Sequence, residues 1–559
     1  MCIRDRAGSP ANRSGLDPST IFNVVVRSLQ RWKAASGSAA TFDYWQGNDR
    51  GTFEPNSDYN GLSSLYFSSN ADEGSRLSSN VLGLTQVWYA TDTGEILEAD
   101  IILNDVDYRF TTNPHDTSGF GGGGSGMGSN VFIENVLTHE FGHAFGLSHS
   151  GGLQSTMLFM ESPEQAFLGC DEQIAIRSFY PTNDAGSRGG ISGLVRGPTG
   201  QGIFGAHVIA VSRRRGVALA TAITDSIGRY TISGLEPGSY FLIAEPYFAG
   251  ASALPSYYAG INPLVCNGAP FGRTVLTGSN GTLPSPVQVP TGGIASAPAL
   301  SVLCNASGGG ATVTSNPAAA SISTAPVIYS GNGNPVAGGF GASDRFSTSN
   351  TLYYRITNVT GRVEVHALSY SLYSPIEPVV ALLDSSGQVV ASQKADNIYT
   401  GSSGYVNYDS ALIASDLPPG DYTVRVTAKT SLGASSYPAG PLALDPVPFM
   451  LVTGSINEAG PALAASLPVN GRCRMEENFS SYSSPSSTPD RRALQEEETI
   501  GFCGTVAALA AKNGGRGGDG PRGPSAGAIA GWFLPWAVMA LTVRAMRSRR
   551  LRPAFAGQA

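Results

Sequence analysis

The chain has 559 residues, more than one hydrophobic core can organise, so about three or four domains are expected. With 70 Gly, 35 Pro and only 14% charged residues, the composition favours short strands and turns over long helices. The formal net charge of −7 leaves no basic footprint and argues against nucleic acid as a partner.

The opening Met1-Cys2-Ile3-Arg4-Asp5-Arg6 reads as a translated sequencing adapter rather than part of a fold. Asp17-Pro18 is a helix-start signal, and Ile21, Val25, Leu29 and Trp32 then recur at helical spacing, which predicts an amphipathic helix to about Ala35. Strands are expected at 41–45, 62–67, 84–89 and 96–103, each bounded by Gly, Asn, Asp or Ser. Residues 111–130, with Gly121 to Gly124 at their centre, suit a flap or ion-binding loop better than a core. Asn130 is a candidate cap for the next helix, whose Phe132, Ile133, Val136 and Leu137 should turn to the core.

That helix carries His139-Glu140-Phe141-Gly142-His143-Ala144-Phe145-Gly146-Leu147-Ser148-His149. Histidines four apart share a helix face, so two imidazoles can converge on one ion. Gly146, free to take positive φ, lets the chain turn and bring back His149 as a third ligand. Three nitrogen ligands leave a tetrahedral zinc one open position for water, and Glu140 is placed to act as general base beside it.

This segment resembles the metzincin zinc peptidases and, within them, the matrixins. Ser150 fits that group, and so does Met157, which by the resemblance is the Met-turn, an apolar floor under the metal. Residues 168–181, with Asp171-Glu172, Ile174, Ile176, Phe179 and Tyr180, look like the helix that closes a matrixin domain. Residues 94–101 are similar to the strand that lines its substrate cleft. The resemblance covers roughly residues 16–182. No pro-segment or cysteine-switch motif precedes it, and the first strand of such a domain is expected to be missing. Matrixins carry structural zinc and calcium near 111–130. Only His115 and Asp116 could serve a structural zinc here, so none is expected, whereas Ca2+ held by Asp side chains and carbonyls stays open.

After Pro181 the pattern becomes alternating strands separated by Asp/Gly and Pro/Gly turns, as in Thr224-Asp225-Ser226-Ile227-Gly228-Arg229-Tyr230 and Leu235-Glu236-Pro237-Gly238-Ser239-Tyr240. This resembles the carboxypeptidase regulatory-like domain, an Ig-like β-sandwich. His207, between apolar neighbours, reads as structural. A Gly/Ala/Ser/Thr-rich spacer leads to a third module, where Arg362-Val363-Glu364-Val365 and Leu417-Pro418-Pro419-Gly420-Asp421-Tyr422 look like a pre-peptidase C-terminal domain. His366 there gets the same structural reading. Of six cysteines, Cys266 with Cys304 and Cys473 with Cys503 are plausible bridges, and Cys170 is left over as a small buried residue. The polar tract after the third module cannot bury enough apolar surface to fold. An uncharged run, 526–543, followed by Arg544, Arg547, Arg549, Arg550 and Arg552, reads as a membrane span resembling a GlyGly-type sorting tail.

The expected fold class is therefore multidomain: an α+β metzincin catalytic domain with a mixed twisted sheet, two β-sandwich domains and a C-terminal transmembrane helix. The expected boundaries are 1–186 for the peptidase, 188–306 for the first sandwich, 307–324 for a linker, 325–456 for the second sandwich, 457–525 for a disordered linker and 526–552 for the membrane segment. The resemblance implies an exported or surface-attached zinc metalloendopeptidase, monomeric, acting on protein or peptide substrates and touching the cell envelope membrane through its C-terminal segment. Catalytic zinc would be held by His139, His143 and His149, with Glu140 as base. The alternative is a cell-surface adhesion protein with a vestigial peptidase domain.

Overall fold

The computed structural model describes residues 2–3, 13–35, 38–40, 45–46, 59, 61, 63–68, 77, 81–114, 129–152, 155–158, 163–182, 185–213, 217–247, 264–268, 270–277, 284–302, 304, 317–330, 351–368, 377–394, 410–429, 450–454 and 507–511.

The first third is built on one six-stranded sheet. Its strands are β1 (Cys2–Ile3), β2 (Trp45–Gln46), β3 (Ser64–Ser68), β4 (Gly83–Ala90) and β5 (Ile96–Asn104), joined by a distant segment, Ala507–Ala511. The order is β2-β1-β3-β5-β4 and then Ala507–Ala511, with β4 antiparallel to β5 and the other pairs parallel. Helix α1 (Pro18–Lys33) begins as its sequence predicts: the Asp17 carboxylate accepts the Thr20 N–H at 3.0 Å, and Pro18 starts the helix. Its buried stripe is Ile21, Val24, Val25, Leu29 and Trp32. Each large aliphatic on it contributes about 1.5–3 kcal/mol on burial.

That stripe packs against Leu65, Ile101 and Leu103 of the sheet and against Ile133, Val136, Leu137 and Phe141 of α2 (Ile133–Ala144). Polar ties fix the two helices in register. The Trp32 indole N–H donates to the Thr138 carbonyl at 3.0 Å, and Arg27 and Arg31 both reach the fully buried Glu134 carboxylate. Ala175, Ile176 and Phe179 of α3 (Cys170–Phe179) close the same core. Asn130 does not cap α2. It lies in a strand, β7 (Ser129–Phe132), paired parallel with β6 (Tyr108–Thr111), and Phe132 takes the cap position without a side-chain bond. Pairing Asn130 with Arg109 commits its backbone to a ladder and leaves the helix start to the next apolar residues.

The second module folds as two facing sheets. One contains β9 (Ala206–Ser212), β10 (Val217–Ile223) and β12 (Gly238–Pro246) in the order β10-β9-β12, with Thr274–Val275 and Val287–Val289 added to β12. The other centres on β8 (Gly189–Arg196) beside β11 (Arg229–Leu235), with Ile294–Ser296 and Leu300–Ser301 also paired to β8. Ile191, Val195, Val208, Leu242 and Ile232 meet between them. Cys266 and Cys304 are bonded, with Cα atoms 5.4 Å apart, as the spacing suggested.

The third module is a six-stranded sheet around two long strands, Thr351–Leu368 and Ser410–Lys429. Their pairing shifts register between Ile356 and Val363, where Asn358 and Gly361 take positive φ. The bulge bends the strands so that Tyr354 and Val365, on either side of it, share one core. Ala319, in a one-turn helix Pro317–Ala320 within the expected linker, is buried in that core.

Further expectations are corrected. Cys2 and Ile3, read as adapter rather than part of a fold, pair in the first sheet between β2 and β3. The described residues are mostly β-sheet, with three α-helices of 16, 12 and 10 residues among them, so the expected class of an α+β metzincin domain, two sandwiches and a transmembrane helix does not describe the fold. Among the described residues helical periodicity is sustained in those short segments, and alternating runs broken by Gly and Pro dominate the rest. Among the described residues no helix is long and apolar enough to cross a membrane, and the expected span 526–552 lies outside the described residues. Cys170 is not a lone thiol: it is disulfide-bonded. Cys473 and Cys503 lie outside the described residues, as do His115 and Asp116. Ala507–Ala511, from the tract judged unable to fold, pairs with β4. Edge pairing uses main-chain groups and needs no core of its own.

Candidate functional site

Helix α2 places His139 and His143 one turn apart, and the chain then reverses. Gly146 sits at φ 93°, with its N–H on the His143 carbonyl at 2.9 Å and the Leu147 N–H on the Gly142 carbonyl at 3.0 Å. Those two bonds form a Schellman cap, which needs a residue without Cβ at the left-handed position. The turn brings His149 back. Its ring centroid lies 5.2 Å from that of His139 and 4.8 Å from that of His143, and the ligand atoms of the three residues are within 4.8 Å of one another. All three are buried, and among the described residues this is the one group of three or more such side chains that could hold a metal.

The tautomers follow from the backbone. The Nδ1 of His139 lies 2.8 Å from the Thr156 carbonyl, and the Nδ1 of His143 lies 2.9 Å from the Leu147 carbonyl. A carbonyl only accepts, so each Nδ1 carries the proton and each Nε2 carries a lone pair. The two Nε2 atoms are 3.1 Å apart. Two lone pairs that close repel unless a cation lies between them. Burial first, and then the charge of the neighbouring imidazoles, pushes His139 and His149 well below the ordinary histidine value. Neutral imidazoles are what a metal requires.

Glu140 faces β4. Thr85 donates its hydroxyl to Glu140 Oε2 at 2.6 Å, while Oε1 is buried with no hydrogen-bond partner among the described residues. Burial pushes this carboxyl up to about 8, against the pull of the Thr85 hydrogen bond. A carboxylate near neutrality in a pocket of this kind is suited to proton transfer. Gly83 lets β4 come this close, since a Cβ there would lie 2.7 Å from Glu140 Oε1.

Met157 is buried under the helix, 1% exposed. Its N–H is held by Glu172 Oε1 at 3.0 Å, its carbonyl accepts the Ser150 N–H at 2.9 Å, and its Sδ stands where a side chain on Gly142 would go. The neighbouring Thr156 carbonyl that orients His139 also accepts from Gln165, at 3.1 Å. Burial raises Glu172, and the charge of Asp171 beside it adds to the rise.

The structure thus brings His139, His143, His149, Glu140 and Met157 together. Sequence reading missed Thr85, Gly83, Gly142 and Glu172. Thr85 and Gly83 lie in a strand whose register is fixed only by folding. Glu172 was noticed as one of an acidic pair in a helix, without its partner. His207 and His366 are buried in strands of the later modules and are not members of the triad.

The family model for Peptidase M66 matches residues 68–163, which span the triad, Glu140 and Met157. The model for the carboxypeptidase regulatory-like domain matches residues 190–251. Peptidase M66 is a metallopeptidase family, so these matches support a peptidase followed by a regulatory-like domain; they do not show the matrixin type. No curated protein matches the chain. Among solved structures, the Bacillus anthracis TIE protein is 12% identical with a TM-score of 0.13, covering 44% of this chain and 29% of that one. BcpA, the major pilin subunit of Bacillus cereus, is 12% identical with a TM-score of 0.12, covering 43% and 58%. The major pilin SpaD of Corynebacterium diphtheriae is 9% identical with a TM-score of 0.13, covering 44% and 57%. The chain therefore spans less than two thirds of each of these proteins, and likeness at such TM-scores carries no argument about fold or function.

Proposed function

We propose that the first third of the chain is a zinc-dependent endopeptidase, of the matrixin-like kind its motif resembles, exported from the cell and acting on extracellular proteins or peptides. The observation that carries this reading is the convergence of three imidazoles: the Nε2 atoms of His139 and His143 stand 3.1 Å apart, with the His149 ring beside them. Three buried imidazole nitrogen donors, each of the two helical ones braced by a backbone carbonyl, fit zinc better than a hard, oxygen-seeking ion. The disulfide Cys266–Cys304 supports export, because such bonds persist in oxidising compartments.

His139, His143 and His149 would hold the metal, which when bound supplies Lewis acidity toward a peptide carbonyl and lowers the pKa of water. Glu140 Oε1 takes a proton from the attacking water as its oxygen bonds to the scissile carbon. Thr85 holds Oε2 meanwhile, so the carboxylate presents one oxygen to the reaction. Glu140 then gives that proton to the departing amine as the C–N bond breaks. Met157 and the apolar side chains around it keep bulk water from the floor of the site. The test is Glu140→Gln in the full chain. It should retain zinc and lose about 100-fold or more in casein cleavage; undiminished cleavage by that variant would refute the assignment.

A further inference from the structure

The segment that carries the third imidazole is not held by the first module alone. Ser150 follows His149 directly, and its hydroxyl donates to Asp171 Oδ2 at 2.7 Å. Thr221, on β10 of the second module, donates its hydroxyl to the same oxygen at 2.6 Å and its backbone N–H to Oδ1 at 2.8 Å. Each hydroxyl has one proton and both are spent on Asp171, so the 3.1 Å between Ser150 Oγ and Thr221 Oγ1 is a close approach that the shared carboxylate enforces.

The packing around this knot is equally tight. A Cβ on Gly151 would lie 3.0 Å from the ring of His207, which stands on β9 and is itself clamped by Glu245 at 3.0 Å. Glu245 is held in turn by Arg273 at 2.9 Å. On the far side of α3, Gly234 of β11 takes positive φ, and a Cβ there would lie 2.1 Å from Ser178 Oγ. Helix α3 belongs to both bodies: Ile174 is buried in the core of the second module, while Ala175 and Ile176 are buried in that of the first.

We propose that the second module is a working part of the metal centre, with Thr221, acting through Asp171 and Ser150, as a positioning residue that sets the place of His149. Loosening Thr221 leaves the Asp171 carboxylate, and the Ser150 hydroxyl bonded to it, less firmly placed, and the imidazole next to Ser150 then samples positions from which three nitrogens no longer meet. A regulatory-like sandwich here is a brace for the third ligand rather than a detachable appendage. The inference rests on His149 being a ligand, as proposed above.

The test uses the full chain and measures zinc affinity by competition with a chromophoric chelator. Cobalt in place of zinc reports ligand geometry through its visible bands. Thr221→Val, which deletes one donor at nearly constant volume, should weaken zinc about tenfold and change the cobalt spectrum, as loss of a positioning partner does. Thr221→Ser should restore both, and Asp171→Ala should weaken zinc about 100-fold. Leu242→Ala, on β12 in the second module's core and without a hydrogen bond of its side chain to Asp171 or Ser150, should lower the melting temperature yet leave zinc affinity within about twofold. The proposal is overturned if Thr221→Val binds zinc within about twofold of the parent, or if Leu242→Ala weakens binding as much as Thr221→Val does. A parent chain that takes up no zinc would overturn the metal reading as well; a parent that binds it, with indifferent variants, overturns this inference alone.

Discussion

Gly142 lies in the last turn of α2, where Ala would ordinarily be the better residue by up to about 1 kcal/mol. Here the balance should reverse. A Cβ at that position would stand 2.2 Å from Met157 Sδ and 3.0 Å from both Met157 Cε and Trp32 Cζ2. Met157 is 1% exposed and Trp32 fully buried, so neither can step aside into solvent. Overpacking of this kind costs about 1–3 kcal/mol. Set against the helix gain, Gly142→Ala should destabilise the first module by up to about 2 kcal/mol. In a Met157→Ala background the closest obstruction, at 2.2 Å, is gone and only the 3.0 Å approach to Trp32 Cζ2 remains, so the same substitution should cost less by about 1–2 kcal/mol. Calorimetry of the full chain measures this, since the transition of the first module is the one a chelator moves. Equal effects of Gly142→Ala in the two backgrounds would refute the claim that Met157 is packed against the ligand helix through that glycine.

Gly146→Ala forces a side chain into φ 93°, a cost of about 1–2 kcal/mol, and because the Schellman turn aims His149, zinc affinity should fall more than the melting temperature does. Unchanged affinity, by chelator competition, would sever the turn from the third ligand. In the second module, burial would raise Glu245, but the Arg273 guanidinium and the His207 contact outweigh it and hold its carboxyl below the ordinary value of 4.5. A depressed folded-state pKa stabilises above the unfolded value, and that contribution is lost as pH falls through the folded one. Glu245→Gln should therefore be destabilising at about pH 6, with the gap to the parent closing as pH falls below about 4.5. A gap constant across a thermal-melt series from about pH 6 to about pH 3 would contradict it.

The site was legible because its geometry is local. His139, His143, Gly146 and His149 lie within three helical turns' length of chain, so spacing alone encodes convergence. Asp17 was legible as a cap for the same reason, and so was the Asp225-to-Gly228 turn, where Asp225 accepts the Ile227 and Arg229 N–H groups at 3.0 and 2.8 Å. What stayed hidden is tertiary. Asp171 and Thr221 are 50 residues apart, and nothing in either stretch marks them as partners. Asn130 misled because a good capping residue can equally serve a ladder when a strand is alongside. Cys170 misled because counting cannot say which thiols meet. The fold class failed because the most specific motif sits on a helix, while most of the regular structure among the described residues is strand, whose short alternating runs bear less on class.

The most direct measurement is the metal content of the purified full-length chain together with the metal's ligand set by X-ray absorption. The account predicts about one zinc per chain with three imidazole nitrogens, lost in His143→Ala and retained in Glu140→Gln. A chain that purifies from zinc-containing medium without the metal, or that holds it as firmly after His143→Ala, would contradict the claim that these three histidines form one site.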